Sequence, residues 1–305
     1  MQNSRRRFLK HSAMTVAGSM VFSSALMAAG NKKAKEIVGI QLYSVRDDMK
    51  KDPLATLQAL SKMGYRSVEH ANYVNRKFYG YSPVEFKKVL ADLGMKMESG
   101  HTVLSKKQLN EAGNDFTDEW KYTIEDAATV GQMYVISPWM DADIRKDHTK
   151  LLKLIEVFNK SGELCQKHNM KFGYHNHDFE FSEQLNGLTL YDIILQNSDP
   201  KYVIQQLDIG NMVNGGAKAM DLLKKYPNRF ESMHVKDEIK AQGGEDKFES
   251  TILGKGIVGT KEVLDWGRKH GGTTHFIIEQ ESYQGMAPLD CAKEDLEIMK
   301  KWGYS

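Results

Sequence analysis

The sequence has 305 residues, of which 41% are hydrophobic, and it carries 42 Lys and Arg residues against 40 Asp and Glu residues. That length and composition are typical of a globular enzyme with a substantial core, and they exclude a disordered or fibrous chain. Two cysteines exclude a disulfide-stapled scaffold and a structural zinc site built on cysteine ligands.

The N-terminal segment has the pattern of an export signal. Residues 4–10 read Ser-Arg-Arg-Arg-Phe-Leu-Lys and match the twin-arginine motif S-R-R-x-F-L-K, and a moderately apolar stretch of small residues follows. We therefore predict a twin-arginine signal peptide over residues 1–29 and export of residues 30–305 to the periplasm. A short membrane anchor is the alternative, which the Ser-, Gly- and Ala-rich composition disfavours.

The charge of the remaining chain is close to neutral. Residues 1–29 hold four basic residues and no acidic ones, which leaves 38 basic against 40 acidic residues. A net charge of −2 argues against a nucleic-acid groove as the main function. No later segment has the roughly 18 unbroken apolar residues of a spanning helix, so we expect no membrane contact once the signal is removed. A homo-oligomer is compatible with the sequence.

Short apolar runs alternate with helical patterns from residue 36 onward. The predicted strands are 37–42, 66–70, 95–100, 133–137, 171–175, 203–208, 231–236 and 275–280. Helical patterns between them include 53–62, 83–93, 118–130, 151–168 and 261–269. Eight strand–helix units in about 270 residues predict a single-domain α/β fold, the (β/α)8 TIM barrel. A doubly wound sheet is the alternative.

Polar or aromatic side chains follow each predicted strand at its C-terminal end, where a barrel carries its chemistry. Strands 5 to 8 end in His175, Asp208, His234 and Glu279. Imidazole and carboxylate ligands together suit Mn²⁺, Fe²⁺, Co²⁺ or Zn²⁺ better than Ca²⁺ or Mg²⁺ alone. We predict that these four bind one divalent metal ion, with Mn²⁺ as the first candidate and Co, Fe, Zn or Mg as alternatives. Taken alone, a histidine at a strand end is more often a hydrogen-bonded structural residue than a ligand, but four such residues at corresponding strand ends favour metal binding.

Further side chains at the strand ends are candidates for proton transfer and substrate binding. A strand has a period of two residues, so Glu281 shares a face with Glu279, and His177 shares one with His175. The predicted catalytic residues are Glu279, Glu281, His177 and Lys236. The predicted substrate contacts are Tyr43, Glu69, His101, Trp139, Glu180 and Asp237. The alternatives are barrel packing, a solvated charge or, for Asp237, orientation of a neighbouring side chain.

Two other features point away from further cofactors and cross-links. Residues 254–259 read Gly-Lys-Gly-Ile-Val-Gly, but a dinucleotide fingerprint needs a strand directly before it, and this segment follows a polar run. We predict a loop after strand 7 that closes over the site. Cys165 and Cys291 lie on predicted helices that are well separated around the barrel, so we expect no disulfide.

These motifs together resemble the sugar phosphate isomerase/epimerase family of the xylose isomerase-like TIM barrel superfamily, which also contains endonuclease IV. The resemblance rests on Gln-Leu-Tyr-Ser-Val-Arg at 41–46, Tyr-His-Asn-His at 174–177, Leu-Asp-Ile-Gly-Asn at 207–211, His-Val-Lys-Asp at 234–237, Gly-x-Gly at 254–256 and Ile-Glu-Gln-Glu at 278–281. It covers essentially all of the mature chain. It implies one divalent metal near the barrel mouth, carried over by position to His175, Asp208, His234 and Glu279.

The resemblance has one departure, at strand 5. Many epimerases and isomerases of the family have Glu where this sequence has His175, and there two metal-bound Glu residues exchange the proton on opposite faces of the sugar. The His-x-His, His-Val-Lys-Asp and Glu-Gln-Glu segments look more like the inosose dehydratase branch. That branch removes a proton next to a ketone and then expels a β-hydroxyl.

The sequence therefore predicts a metal-dependent sugar isomerase or epimerase that enolises a keto-sugar by abstracting the proton next to its carbonyl. The alternative is a lyase or dehydratase that eliminates from a 3-keto-glycoside or an inosose-like substrate. Export favours this alternative, because phosphorylated sugars are mostly intracellular. A non-catalytic sugar-binding module and a DNA-repair endonuclease are the other classes. The endonuclease needs several metals and a basic face, so we expect a small sugar and no nucleic acid as partner.

Overall fold

The computed structural model describes residues 36–110, 115–243 and 247–305. The predicted signal peptide lies outside these residues, so the twin-arginine motif and the boundary at residue 30 stay predictions. Within the three described ranges, no helix is both long enough and apolar enough to cross a membrane.

Eight parallel strands form a closed barrel in chain order, and the predicted TIM barrel is confirmed. Strands 1 to 8 are Ile37–Gln41, Ser67–His70, Lys96–His101, Tyr134–Ser137, Lys171–His175, Val203–Asp208, Ser232–Val235 and His275–Ile278. Strand 8 pairs back with strand 1, with Ile37 opposite His275 and Ile40 opposite Ile278. All eight predicted strands agree with the observed ones to within two residues at each end.

Helices follow the strands and cover the outside of the barrel. The α-helices are Arg46–Lys51, Pro53–Met63, Pro83–Asp92, Asp118–Val130, Ala142–Arg145, His148–Gln166, Phe179–Ser182, Leu190–Asn197, Ile209–Asn214, Ala219–Lys225, Thr260–Trp266 and Pro288–Lys301. Short 3₁₀ turns cover Leu42–Val45 and Lys106–Gln108, and a π-turn covers Gly267–Gly271. Gly64 and Gly131 end their helices in the left-handed conformation, at φ 112° and 105°, which glycine adopts without steric cost.

Three hairpins interrupt the strand–helix alternation, and the sequence patterns did not predict them. They pair Tyr73–Val74 with Lys77–Phe78, Gln184–Leu185 with Leu188–Thr189, and Asp237–Lys240 with Phe248–Thr251. The third, the 237–251 hairpin, begins two residues after strand 7 ends. It therefore brings its residues to the C-terminal end of the barrel.

The barrel interior changes from apolar to polar along the strands. Tyr134, Ile136 and Ile204 form a small buried apolar group inside it, while the larger core packs between strands and helices. Toward the C-terminal ends the buried interior side chains are polar, among them Glu69 and Gln206. Buried polar groups are normally hydrogen-bonded, and these side chains bond to one another: Gln206 donates to Glu69 and Ser232, and Gln41 donates to Glu69. This layer is therefore a connected network beneath the barrel mouth.

The two cysteines, both within the described residues, are buried and free. Burial raises the pKa of the Cys165 thiol to about 12 and that of the Cys291 thiol to about 11. Both side chains therefore stay protonated at neutral pH, as expected for packing residues.

Candidate metal centre and active site

Four side chains from strands 5 to 8 meet at the C-terminal end of the barrel. They are the predicted metal ligands His175, Asp208, His234 and Glu279, and one ligand atom from each lies within 4.8 Å of the others. All four are buried. His101 forms an overlapping group with His175 and His234. The strand register produces this arrangement, since Asp208 lies directly opposite His234 on the neighbouring strand.

The His234 ring lies between carboxylates on both of its nitrogens. Its Nδ1 is 3.1 Å from Oε2 of Glu279, and its Nε2 is 2.6 Å from Oε1 of Glu69. Burial lowers the pKa of His234, but the charges of Glu279 and Glu69 outweigh burial and raise that pKa well above its usual value. A cation is therefore favoured at Nδ1, where a metal ion competes with the proton.

A glutamine beneath the cluster orients two further imidazoles. Oε1 of Gln206 lies 3.1 Å from Nδ1 of His175 and 2.7 Å from Nε2 of His101. Its Nε2 donates a hydrogen bond to Oε2 of Glu69 at 2.8 Å. The contact at Nδ1 leaves Nε2 of His175 as the nitrogen available to a metal ion. Such outer partners fix the tautomer and ring orientation of a histidine ligand.

Asp208 has one oxygen that is hydrogen-bonded to the fold and one that is buried with no hydrogen bond. Oδ1 accepts a hydrogen bond from the backbone N–H of Asn211 at 2.7 Å and caps the helix Ile209–Asn214. Oδ2 has no hydrogen-bond donor among the described residues. Its nearest cationic groups are Nδ1 of His234 at 3.7 Å and Nζ of Lys236 at 3.8 Å, and neither is within hydrogen-bond distance. The donor set and this oxygen without a hydrogen bond fit a divalent cation.

Lys236 lies beside the cluster and contacts three carboxylates. Its Nζ is in close contact with Oε2 of Glu281 and lies 3.5 Å from Oε2 of Glu279 and 3.8 Å from Oδ2 of Asp208. It also donates to Oδ1 of Asn211 at 3.2 Å. Burial lowers the pKa of Lys236, but the carboxylates raise it well above its usual value. The side chain is therefore an ammonium at neutral pH, which can donate a proton and cannot act as a base.

A cavity of about 350 Å³ opens over the cluster. Its wall is formed by Tyr43, Ala71, His101, Val103, Pro138, Trp139, His175, His177, Asn211, Glu279 and Glu281. Three of the predicted substrate contacts, Tyr43, His101 and Trp139, are thus on its wall. Tyr43 and Trp139 are 43% and 42% exposed, so their aromatic rings are open to a ligand. A small cavity with aromatic walls and a few convergent polar groups is typical of a small-molecule site.

His177, predicted to be catalytic, lies on the cavity wall against aromatic rings. Its ring meets Trp139 edge-on at 5.5 Å and stacks with Phe179 at 5.9 Å between centroids. Burial lowers the pKa of His177 to about 4, so the imidazole is neutral at pH 7. Its buried Nδ1 has no hydrogen-bond partner in the part of the chain that the structure describes. The structure thus places a neutral imidazole on the cavity wall.

Two predicted substrate contacts are buried and form hydrogen bonds within the protein, and they do not line the cavity. Glu69 is fully buried and contacts His234, His101 and the strand-1 side chain Gln41. Glu180 is also fully buried. It accepts hydrogen bonds from the Tyr174 hydroxyl and, at 2.8 Å, from the backbone N–H of His177. Burial raises the pKa of Glu180 to about 8. We therefore reassign Glu69 and Glu180 from substrate contacts to positioning residues.

Asp237 binds the loop that follows the hairpin. Its Oδ2 accepts backbone hydrogen bonds from Gly254 at 2.8 Å and Gly256 at 3.1 Å, and its Oδ1 accepts from Glu238 at 3.0 Å and Val258 at 3.1 Å. A Cβ at Gly256 would lie 2.2 Å from Oδ1, so only glycine fits there. The G-x-G-x-x-G segment thus surrounds a carboxylate of its own chain, and Asp237 is a structural residue and not a substrate contact.

The sequence patterns missed three side chains of the site. Gln206 lies two residues before Asp208 on the same strand, so the two-residue period of a strand signals its inward direction. Asn176 pairs with the Asp208 backbone, accepting from its N–H at 2.9 Å and donating to its carbonyl at 3.0 Å. Asn211 contacts Lys236. The only sequence signal for the two asparagines as site residues is their position shortly after a strand end.

Comparisons with known proteins agree with this architecture. The model of the Xylose isomerase-like TIM barrel family matches residues 57–302. An inosose dehydratase of Geobacillus thermodenitrificans is 26% identical, over 48% of this chain and 53% of that protein. One of Clostridium perfringens is 29% identical, over 57% of each chain. The chain therefore spans little more than half the length of these curated relatives.

Solved structures are similar in fold. A sugar phosphate isomerase/epimerase from Parabacteroides distasonis superimposes with a TM-score of 0.73 at 23% identity, over 90% of this chain and 97% of that one. An L-ribulose 3-epimerase superimposes with a TM-score of 0.65 at 12% identity, over 88% of this chain and 94% of that one. Because the family model spans most of the closed barrel described above, the chain belongs to the Xylose isomerase-like TIM barrel family.

Proposed function

We propose that this protein is a divalent-metal-dependent sugar-processing enzyme that enolises a keto-sugar by removing the proton next to its carbonyl. The observation that carries the proposal is the buried cluster of His175, Asp208, His234 and Glu279, which opens into a cavity that also holds acid and base groups. The inosose dehydratase relatives and the epimerase neighbours support the same class of chemistry.

The four-residue cluster would hold the metal ion, and a bound ion supplies Lewis acidity toward a substrate oxygen. Glu281 is the base in this proposal, since it lines the cavity and is partly exposed. Lys236 holds the Glu281 carboxylate in place through its ammonium. His177 lines the same cavity as a neutral imidazole and is the second group that can exchange a proton with the substrate. Tyr43 and Trp139 bind the sugar ring.

Elimination is the second candidate outcome, and the environment of Lys236 favours it. A leaving hydroxyl or alkoxide needs a proton, and Nζ of Lys236 holds one beside Glu281 and Glu279. Glu281 takes the proton from the carbon next to the carbonyl, and Lys236 gives a proton to the leaving oxygen. Because the two side chains are in contact, Glu281 can then pass its proton to Lys236. An isomerase or epimerase instead returns the proton to carbon. The relatives' name, inosose dehydratase, is consistent with elimination.

Deuterium incorporation from solvent tests the proposal. The protein with Mn²⁺ is given free ketoses, inososes and 3-keto-glycosides in D₂O, and NMR follows the carbons next to the carbonyl. We expect deuterium at one of these carbons, and the product then separates isomer, epimer and eliminated sugar. Glu281→Gln is expected to slow exchange about 10²- to 10⁴-fold, the range typical of a general base.

A matched control is Glu297→Gln, an exposed carboxylate on the last helix, which is expected to keep full activity. Metal content and unfolding midpoint are measured for each variant, so that loss of chemistry is separated from loss of metal or fold. Full exchange in Glu281→Gln would remove Glu281 as the base. No exchange across the panel with metal bound would contradict the enolisation proposal and favour a sugar-binding module.

We further propose Mn²⁺ as the physiological ion and the periplasm as the location. The mixed imidazole and carboxylate ligand set supports Mn²⁺, Fe²⁺, Co²⁺ or Zn²⁺. The twin-arginine pattern at residues 4–10 supports export. Metal analysis of protein from its native host tests the first statement. Cell fractionation of wild type and of Arg5→Lys/Arg6→Lys tests the second, with the variant expected to stay inside.

A further inference from the structure

A second cavity adjoins the first at the barrel mouth. Its volume is about 460 Å³, and it lies between the 237–251 hairpin and the ends of strands 5, 6 and 8. Asn211 and Glu281 line both cavities, so the two are direct neighbours. Each alone is within the range of about 300–1,000 Å³ that is typical of small-molecule sites. The molecule therefore offers space for a ligand larger than one sugar ring.

One buried carboxyl on the wall of the second cavity lacks a partner. Glu238 is 1% exposed, and its Oε2 has no hydrogen-bond donor among the described residues. Its Oε1 packs against the backbone at Gly210, 2.8 Å from where a Cβ on that residue would be, so a larger residue at 210 would displace it. Buried acceptors of this kind are normally satisfied. A ligand hydroxyl in the cavity, which can both donate and accept, would supply the missing hydrogen-bond partner.

The remaining wall defines the chemistry of the ligand. Phe248 offers an apolar ring, and Ser182, Asn214 and Ser250 offer neutral hydrogen-bonding groups. The charged groups of this wall are three carboxylates and two lysines, Asp178, Glu249 and Glu281 against Lys236 and Lys247. Burial raises the pKa of Glu238 to about 8, so its carboxyl is mostly protonated at neutral pH. Glu281 already pairs with one of the lysines. Hydrogen-bonding groups of this kind suit a ligand rich in hydroxyls, and the excess of one carboxylate over the lysines disfavours a phosphate or carboxylate group.

We propose that the second cavity, lined by Glu238 and Phe248, is a subsite for a neutral glycosyl unit linked to the sugar in the metal-centred cavity. This rests on the proposed function for the sugar in the first cavity. The substrate class is then a neutral glycoside of at least two rings, and not a sugar phosphate. The hairpin supplies both Glu238 and Phe248, so this insertion after strand 7 sets the specificity for the second ring.

Calorimetric binding to the Mn²⁺-loaded protein tests the subsite independently of turnover. The probes are methyl β-D-glucoside, cellobiose, maltose and glucose 6-phosphate. We expect at least one disaccharide to bind about tenfold or more tightly than the methyl glucoside, and glucose 6-phosphate to bind no better than the methyl glucoside. Phe248→Ala and Glu238→Gln are each expected to lower the disaccharide affinity about tenfold and to change that of the methyl glucoside less than about twofold.

Lys240→Ala is the matched control, because Lys240 is exposed on the same hairpin and is expected to change neither affinity. Equal affinity for one and two rings, tighter binding of glucose 6-phosphate, or a disaccharide preference that survives both variants would overturn the subsite. The two proposals can fail separately. Absence of deuterium exchange with an intact disaccharide preference contradicts only the enolisation, while exchange without that preference contradicts only the subsite.

Discussion

Replacing Asp237 by Asn separates a structural role of this residue from a role in substrate binding. The carboxylate accepts four backbone hydrogen bonds, two on each oxygen. Asparagine keeps one carbonyl oxygen, so it can accept at most two of them, and its NH₂ group then faces the other two N–H donors. Hydrogen bonds to a charged group contribute about 1.5–3 kcal/mol each. The loss of two predicts a decrease of about 3–6 kcal/mol in the free energy of unfolding.

This magnitude is large enough to measure. Small and medium domains have a total stability of about 5–15 kcal/mol, so the variant loses a substantial part of it. Urea unfolding of wild type and Asp237→Asn at neutral pH gives the difference directly. Glu297→Gln is the control for removal of one negative charge, and we expect it to change stability by less than about 0.5 kcal/mol.

The same experiment has a second readout in the loop. Hydrogen exchange at the amides of Gly254, Gly256 and Val258 is expected to become faster in Asp237→Asn, because their acceptor is weakened. A variant with wild-type stability and protected loop amides but a raised KM would refute the reasoning. That result would return Asp237 to the substrate contacts.

Three further predictions concern the network, the core and the metal. Glu69→Gln weakens the contact that orients His234 and is expected to lower metal affinity about 10- to 100-fold in a metal titration. Burial raises the pKa of Asp295 from 3.8 to about 7. Stability therefore falls as pH rises from about 4 to about 7, because the unfolded chain releases the proton first. Asp295→Asn is expected to remove this fall of up to about 4 kcal/mol in urea unfolding at about pH 4 and pH 8. Saturating Mn²⁺ at about 100 times Kd is expected to stabilise the protein by about 2.7 kcal/mol, and a chelator to reverse the rise in unfolding midpoint. Wild-type metal affinity in Glu69→Gln, an unchanged pH dependence in Asp295→Asn, or a midpoint insensitive to metal would each contradict its prediction.

The barrel and the metal cluster could be predicted because both depend on local patterns. Apolar runs define the strands, and a barrel brings the last residues of its parallel strands to one end. His175, Asp208, His234 and Glu279 are each at or next to a strand end, so counting strands was enough to bring them together.

The roles of Glu69, Glu180 and Asp237 could not be predicted because long-range geometry decides them. The register of strand 2 against strand 3 shifts between Val68 and Glu69, an irregularity without a sequence signal, and Glu69 points into the network. Asp237 accepts hydrogen bonds from backbone N–H groups that lie more than fifteen residues further along the chain. The path of the loop brings these groups to the carboxylate, and the local sequence does not reveal that path. Glu69 and Asp237 lie within two residues of a strand end, and Glu180 follows strand 5 in a short helix. Nothing in the sequence separates such a carboxylate from a substrate contact, because the difference is its burial.

Metal dependence of enolisation tests the central claim most directly. Apoprotein is titrated with Mn²⁺ in D₂O in the presence of the best keto-sugar from the panel, and the rate of deuterium incorporation is followed by NMR. We expect no exchange without metal and a rate that rises to a plateau at one equivalent. In Asp208→Asn the plateau should require a much higher metal concentration, because the charged Oδ2 ligand is lost. Exchange that persists in the apoprotein, or that is the same in Asp208→Asn, would contradict the assignment of this cluster as the metal centre of the reaction.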